Sequence, residues 1–142
     1  MIVLDTNVVS ENFRPRPNNA VLNWIDAQPE GNVYLCAPVV AELRYGVERL
    51  APGRNQNDLR SAIENIVGGL FLGRILPFDS AASIAYARLM VRREQIGRRI
   101  AQMDAMIAAI ALTHGATLAS RDTRDFADIG LELVNPFDVS AT

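Results

Sequence analysis

Met1-Ile2-Val3-Leu4-Asp5-Thr6-Asn7-Val8-Val9-Ser10-Glu11 places an apolar run directly ahead of an aspartate, and apolar residues resume three positions after it. The run Ile2 to Leu4 is short and continuous, the pattern of a strand buried on both faces rather than one that alternates. Asp5 therefore stands at the carboxyl end of a core strand. A buried carboxylate without a partner is strongly unfavourable. In an open parallel sheet, the space beyond the strands' carboxyl ends is where ligands bind. The partner of Asp5 is thus to be sought there.

Working outward, short apolar runs and helical patterns alternate. Asn18 is placed to cap a helix carrying Ala20, Val21, Leu22, Trp24 and Ile25. Val33 to Ala37 reads as a second strand, and Pro38 suits the first turn of a helix running to about Leu50. Leu59, Ile63, Ile66, Val67 and Leu70 recur at helical spacing from Asp58 to about Leu70, and Ile75 to Phe78 forms a short extended segment. Asp79 is placed to cap a long helix whose inner side carries Ala82, Ala85, Leu89 and Met90, with Gly97 as its break. The next helix, about Ala101 to His114, is almost continuously apolar after Asp104, and Gly115 fits the position that ends it. Thr117 to Ser120 and Leu131 to Asn135 read as the last strands, separated by the polar loop SRDTRDF. This alternation predicts an α/β fold with a parallel central sheet flanked by helices. No repeat, low-complexity tract or linker divides residues 1–142, which read as one domain.

Composition narrows the function classes. Nearly half of the 142 residues are apolar, enough for a real core. No stretch is long and uncharged enough to span a bilayer, and no basic segment precedes an apolar run as in a signal peptide. The lone Cys36 lies in the apolar VYLCAPVV and reads as a small buried hydrophobe. A soluble cytoplasmic protein is expected. The net charge of −2 argues against a protein that coats nucleic acid nonspecifically. All fourteen basic residues are arginine, which excludes Schiff-base chemistry, a Walker-type phosphate loop and any other mechanism that needs a lysine.

Four acids stand apart from the solvated ones. Asp5 follows the first strand, and Asp122 follows the Thr117–Ser120 strand by two residues, so both reach the same rim if those strands are neighbours. Glu42 is the only acid in the apolar first part of its helix, and Asp104 opens AMIAAIAL. Taken singly, Asp104 fits a helix N-terminal acid, Glu42 a partner of Arg44 or another arginine, and Asp122 a turn residue. Together they would repel one another unless protonated or neutralised by a cation. Oxygen ligands without histidine or a cysteine cluster point to Mg²⁺ or Mn²⁺ rather than Zn²⁺. Such a site suits phosphodiester hydrolysis by an activated water.

With these pieces, MIVLDTNVVSE, APVVAELRYGVERL, GRILPFD, AQMDAMIAAIAL and LASRDTRDF followed by LVNPF, the chain resembles the PIN-domain ribonuclease toxins of the VapC/FitB group. These belong to type II toxin–antitoxin systems. The resemblance runs over nearly the whole chain in order. It implies a PIN-like three-layer fold and Mg²⁺- or Mn²⁺-dependent cleavage of RNA, with water as the attacking group. Asp5, Glu42 and Asp104 match the family's first three acids, and Asp122 matches a fourth position that varies between acid and amide. The resemblance also implies that Asn7 orients the first carboxylate or a metal-bound water, and that Thr6 and Ser120 support the acids by hydrogen bonding. Family members usually dimerise, are held inactive by an antitoxin, and bind promoter DNA as the toxin–antitoxin complex.

The remaining polar residues read more plainly. Asp79, Asp125 and Asp128 suit caps or loops, and His114 suits a helix C-terminus. Glu11 lies in the stretch of the first motif and within reach of the rim, but is not counted among the site acids. Arg44 and Arg49, about a turn beyond Glu42, either contact RNA or antitoxin or belong to a solvated face. A PIN-like module without catalysis, serving only in complex formation, is the alternative. An aspartyl phosphotransferase or receiver fails, because residue 7 is Asn and the chain has no lysine to steady a phosphoryl group.

Overall fold

The computed structural model describes residues 1–138; residues 139–142, the end of the expected domain, lie outside the described part. Five strands form one parallel sheet: β1 (Ile2–Leu4), β2 (Val33–Cys36), β3 (Ile75–Leu76), β4 (Thr117–Ala119) and β5 (Leu133–Val134), in the order β3-β2-β1-β4-β5. β1 is central. Ile2 pairs with Val33 on one side and with Thr117 on the other, so both strand edges are used and Val3 and Leu4 are fully enclosed. From β1 the chain runs first to one side of the sheet and later returns to the other. The order therefore reverses between β1 and β4, and a crevice opens there beyond the strands' carboxyl ends.

Six helices connect and cover the strands: α1 (Thr6–Val9), α2 (Asn19–Asp26), α3 (Ala37–Glu48), α4 (Arg54–Asn65), α5 (Ser80–Gln95) and α6 (Gln102–Thr113). Several start where a cap is expected. The Asn18 carboxamide accepts from Ala20 N and Val21 N, and the Asp79 carboxylate accepts from Ala82 N. Gly115 adopts φ +60°, the left-handed conformation that closes α6 and turns the chain into β4. α6 is buried from Ala105 to Ala111 on nearly every side, save Met106, with α5 packed along it. Among the described residues, no helix is long and apolar enough to cross a membrane.

Some boundaries differ from the sequence-based expectation. The strand of residues 33–37 ends at Cys36, because Ala37 and Pro38 already open α3. α4 begins at Arg54 rather than Asp58: buried Gln56 donates to the carbonyls of Val47 and Leu50, recruiting an extra turn. Its C-terminal part is a π turn over Ile66–Leu70, in which Phe71 N donates to Ile66 O at 2.9 Å. The last strand shrinks to two residues at the sheet edge. α1 was not expected at all, since four residues directly after a strand carry too little periodicity to reveal a helical turn.

Arg93 is also hidden from the sequence pattern. It sits on α5 in the polar stretch RREQ, yet is only 3% exposed. Its guanidinium donates to the carbonyls of Arg98, Asp125 and Ala127, at 2.6, 2.8 and 3.1 Å. Three carbonyl dipoles thus hold a buried cation and fasten the α5–α6 turn to the loop after β4. We predict that Arg93→Met destabilises the fold by about 3 kcal/mol, because the three acceptors lose their donor. Asp79→Ala, which removes only a cap, should cost about 1 kcal/mol. Urea unfolding of both variants checks the ranking, and equal losses would refute it.

Candidate active site

Asp5 is the residue at which β1 turns into α1. Its N–H donates to Ala119 O on β4, while its Oδ1 accepts from Thr6 N, so the carboxylate also caps α1. Its Oδ2 accepts from the Ser120 hydroxyl at 2.7 Å, across the switch point of the sheet. Ser120 is fully buried, and its Oγ in turn accepts from Asp122 N. One hydroxyl thereby orients Asp5 and the backbone of Asp122 together.

The other acids arrive from separate elements. Glu42, on the second turn of α3, accepts from the Thr6 hydroxyl at 2.8 Å. Asp122, on the loop after β4, accepts from the Asn7 carboxamide at 3.0 Å. Asp104 lies in the first turn of α6. Asp5, Glu42, Asp104 and Asp122 line one cavity of about 350 Å³, together with Thr6, Asn7 and Ser10.

All four expected acids are therefore brought together, with Thr6 and Ser120 as their hydroxyl supports. Of the two roles expected for Asn7, orienting the Asp5 carboxylate is not what its amide does: it donates to Asp122. Glu11 is not part of the cavity. It is buried, accepts from Asn18 N and lies 3.5 Å from Arg14, bracing the loop between α1 and α2. Arg44 does not pair with Glu42; it makes two hydrogen bonds to Glu64 beside a separate groove between α3 and α4. Arg49 is exposed and stands over the Tyr45 ring. His114 ends α6, and Asp128 adopts φ +66° in the loop that Arg98 clasps.

Electrostatically the cavity is unresolved by the protein alone. Among the described residues, none of its four carboxylates has an arginine within 4 Å. Burial raises the Asp5 carboxyl above its ordinary value; the Ser120 and Thr6 hydrogen bonds oppose this, and the charges of Glu42 and Asp122 add to it. Burial, followed by the charges of Asp5, Asp125, Glu42 and Asp122, pushes Asp104 up to about 6. The neighbouring Cys36 thiol is pushed up to about 12, chiefly by burial, and stays protonated.

A divalent cation would relieve this repulsion, and the all-oxygen donor set fits Mg²⁺ or Mn²⁺. A closed four-acid cage is absent, however. Among the described residues, no three Asp, Glu, His or Cys side chains stand close enough together to enclose an ion. Mg²⁺ commonly binds through one or two carboxylates while keeping several waters, and the cavity has room for such a hydrated ion.

The sequence and fold have counterparts in known proteins. Residues 2–131 match the PIN domain family model. This chain belongs to the PIN-domain family. The PIN chain is 44% identical over 138 residues to the VapC ribonuclease Y4jK of Sinorhizobium fredii, covering 97% of this chain and 99% of that protein. It is 44% identical over 137 residues to the toxin FitB of Neisseria gonorrhoeae, covering 96% and 99% of the two. A solved structure of FitAB bound to an IR36 DNA fragment superimposes with a TM-score of 0.92 at 42% identity, over 98% of this chain and 97% of that one. The PIN-like α/β architecture expected from sequence is thus the one observed.

The raised acids carry a stability signature. Between the ordinary carboxyl value and about 6, the folded protein binds more protons than the unfolded chain at Asp104. The stabilisation this provides is present at low pH and lost as pH rises through about 6. In chelator, the melting temperature should therefore fall from pH 5 to pH 7.5. Asp104→Asn should flatten that fall and melt higher than wild type at pH 7.5. An unchanged slope in thermal melts of the variant would contradict the site's electrostatics.

Proposed function

We propose that this PIN-domain chain is a divalent-metal-dependent endoribonuclease acting as the toxin of a type II toxin–antitoxin pair. The observation that carries the reading is the convergence of Asp5, Glu42, Asp104 and Asp122 on one cavity without a cationic side chain among them. Relatives named as VapC ribonuclease and toxin FitB, at 44% identity over nearly full length, support the nuclease and toxin roles. The likeness to FitAB bound to an IR36 DNA fragment, and to VapBC2 of Rickettsia felis bound to a DNA fragment from its promoter, supports an antitoxin partner and promoter binding by the pair.

In this reading Asp5, Glu42, Asp104 and Asp122 would together hold a hydrated Mg²⁺ or Mn²⁺, and Asp5 and Asp104 are the two whose carboxyls burial raises. A bound divalent ion supplies a nucleophilic water at neutral pH and offsets the negative charge of a phosphodiester. The chain's own groups do the rest. Ser120 and Thr6 N fix both oxygens of Asp5, and Asn7 fixes Asp122, so the carboxylates are oriented before substrate arrives. A cavity carboxylate such as Glu42, held by Thr6, accepts the proton that the attacking water loses. The water oxygen bonds to phosphorus as one phosphorus–ribose oxygen bond breaks, and the departing ribose oxygen takes up a proton from solvent.

The second reading, a PIN module without catalysis, is favoured by one observation: the carboxylates do not close into a ligand cage as they stand. Two measurements separate the readings. Titration calorimetry should show Mn²⁺ binding to the wild-type chain that Asp5→Asn weakens at least tenfold. Asp5→Asn, Glu42→Gln and Asp104→Asn should each reduce RNA cleavage by a factor of about a hundred or more while remaining folded by circular dichroism. Wild-type cleavage rates in Asp5→Asn would overturn the proposal, as would the absence of Mn²⁺ binding.

A further inference from the structure

A phosphodiester approaching this cavity meets four carboxylates, so a cation at the rim bears directly on substrate capture. Among the described residues, four arginines are already paired with acids. Arg14 lies against Glu11, Arg44 against Glu64, Arg60 against Glu48 and Arg98 against Asp128. Arg121 differs. Its backbone belongs to the site: its N–H donates to Asn7 Oδ1 at 3.2 Å, and the same Asn7 carboxamide holds Asp122. Its side chain leaves that anchored point and has no carboxylate within 4 Å among the described residues.

The guanidinium carbon of Arg121 sits 3.7 Å from the centroid of the Phe137 ring. At that separation the guanidinium makes a cation–π contact with the ring, and Arg121 is an exposed residue. Phe137 is itself fixed. Asn135 accepts from Phe137 N at 2.9 Å and donates to Asp138 and to Arg121 O, while the intervening Pro136 is fully buried. Arg121 follows β4 and Phe137 follows β5, so the stack stands on the same strand-end rim as the acids. A flexible side chain is here held against one ring, on an exposed residue that directly precedes the cavity acid Asp122.

We propose that Arg121, stacked on Phe137, is an RNA-positioning residue that binds a backbone phosphate adjacent to the one being cleaved. A guanidinium edge offers paired donors matched to two phosphate oxygens, which a lysine cannot reproduce. This inference rests on the ribonuclease reading for the identity of its ligand, but its test does not require cleavage.

The test measures binding of a fluorescein-labelled single-stranded RNA oligonucleotide to full-length Asp5→Asn protein with Mn²⁺, by anisotropy, over a series of salt concentrations. Adding Arg121→Gln should weaken binding about tenfold and lower the salt dependence by about one phosphate contact. Arg121→Lys should restore the salt dependence but only part of the affinity. Equal affinity and equal salt dependence with and without Arg121→Gln would overturn the proposal, whatever happens to the melting temperature. That outcome would leave Arg121 as a clamp on the C-terminal segment. Wild-type protein that fails to cut RNA, while Arg121-dependent binding persists, would sink the nuclease reading and leave this contact standing. Cleavage by wild type with Arg121-independent binding would do the reverse.

Discussion

The hydrogen bond from the buried Ser120 hydroxyl to Asp5, 2.7 Å long and spanning 115 residues of sequence, is the joint on which the site turns. It forms only because β1 and β4 are neighbours, and it lies where the strand order reverses. The same oxygen receives Asp122 N, so the register of two strands sets the separation of two acids. A shift of one residue in that pairing would turn Asp5 to the opposite face of the sheet and remove the cavity.

The site is a place where local rules are broken in concert. A core strand ends in a carboxylate, an apolar helix opens with another, and a third lies on the inner side of α3. Each is unfavourable alone, and together they repel, as the raised Asp5 and Asp104 carboxyls record. Stability is given up here, and the rest of the fold compensates through well-packed apolar strands and the nearly all-buried α6. Concentrated, uncompensated charge of one sign is what the proposed divalent cation would neutralise.

The loop after β4 shows how the opposite rim is organised. Arg93, Arg98 and Arg121 each contact this loop or its flanks, in different ways. Buried Arg93 grips the carbonyls of residues 98, 125 and 127. Arg98 clasps Asp128, and Arg121 stacks on Phe137. The absence of lysine fits such contacts, since a planar fork serves several acceptors or an aromatic face better than an ammonium does.

Much of this was legible in the sequence. Continuous apolar runs of strand length, helical periodicity, and the caps at Asn18, Asp79 and Gly115 are local signals that do not need the folded chain. The four acids were also legible, because each is a charge set in apolar sequence, and that conflict is visible one residue at a time. Tertiary structure alone decided the partners of three of these acids: Thr6 for Glu42, Ser120 for Asp5, and Asn7 for Asp122. It also withdrew Glu11 into a brace, tied Arg44 to Glu64, and buried Arg93 in a stretch that looked solvated. The physical reason is common to all of these. A propensity or a cap involves residues three or four apart, whereas these pairings cross strands and helices distant in sequence, where only the packed sheet determines which side chains meet.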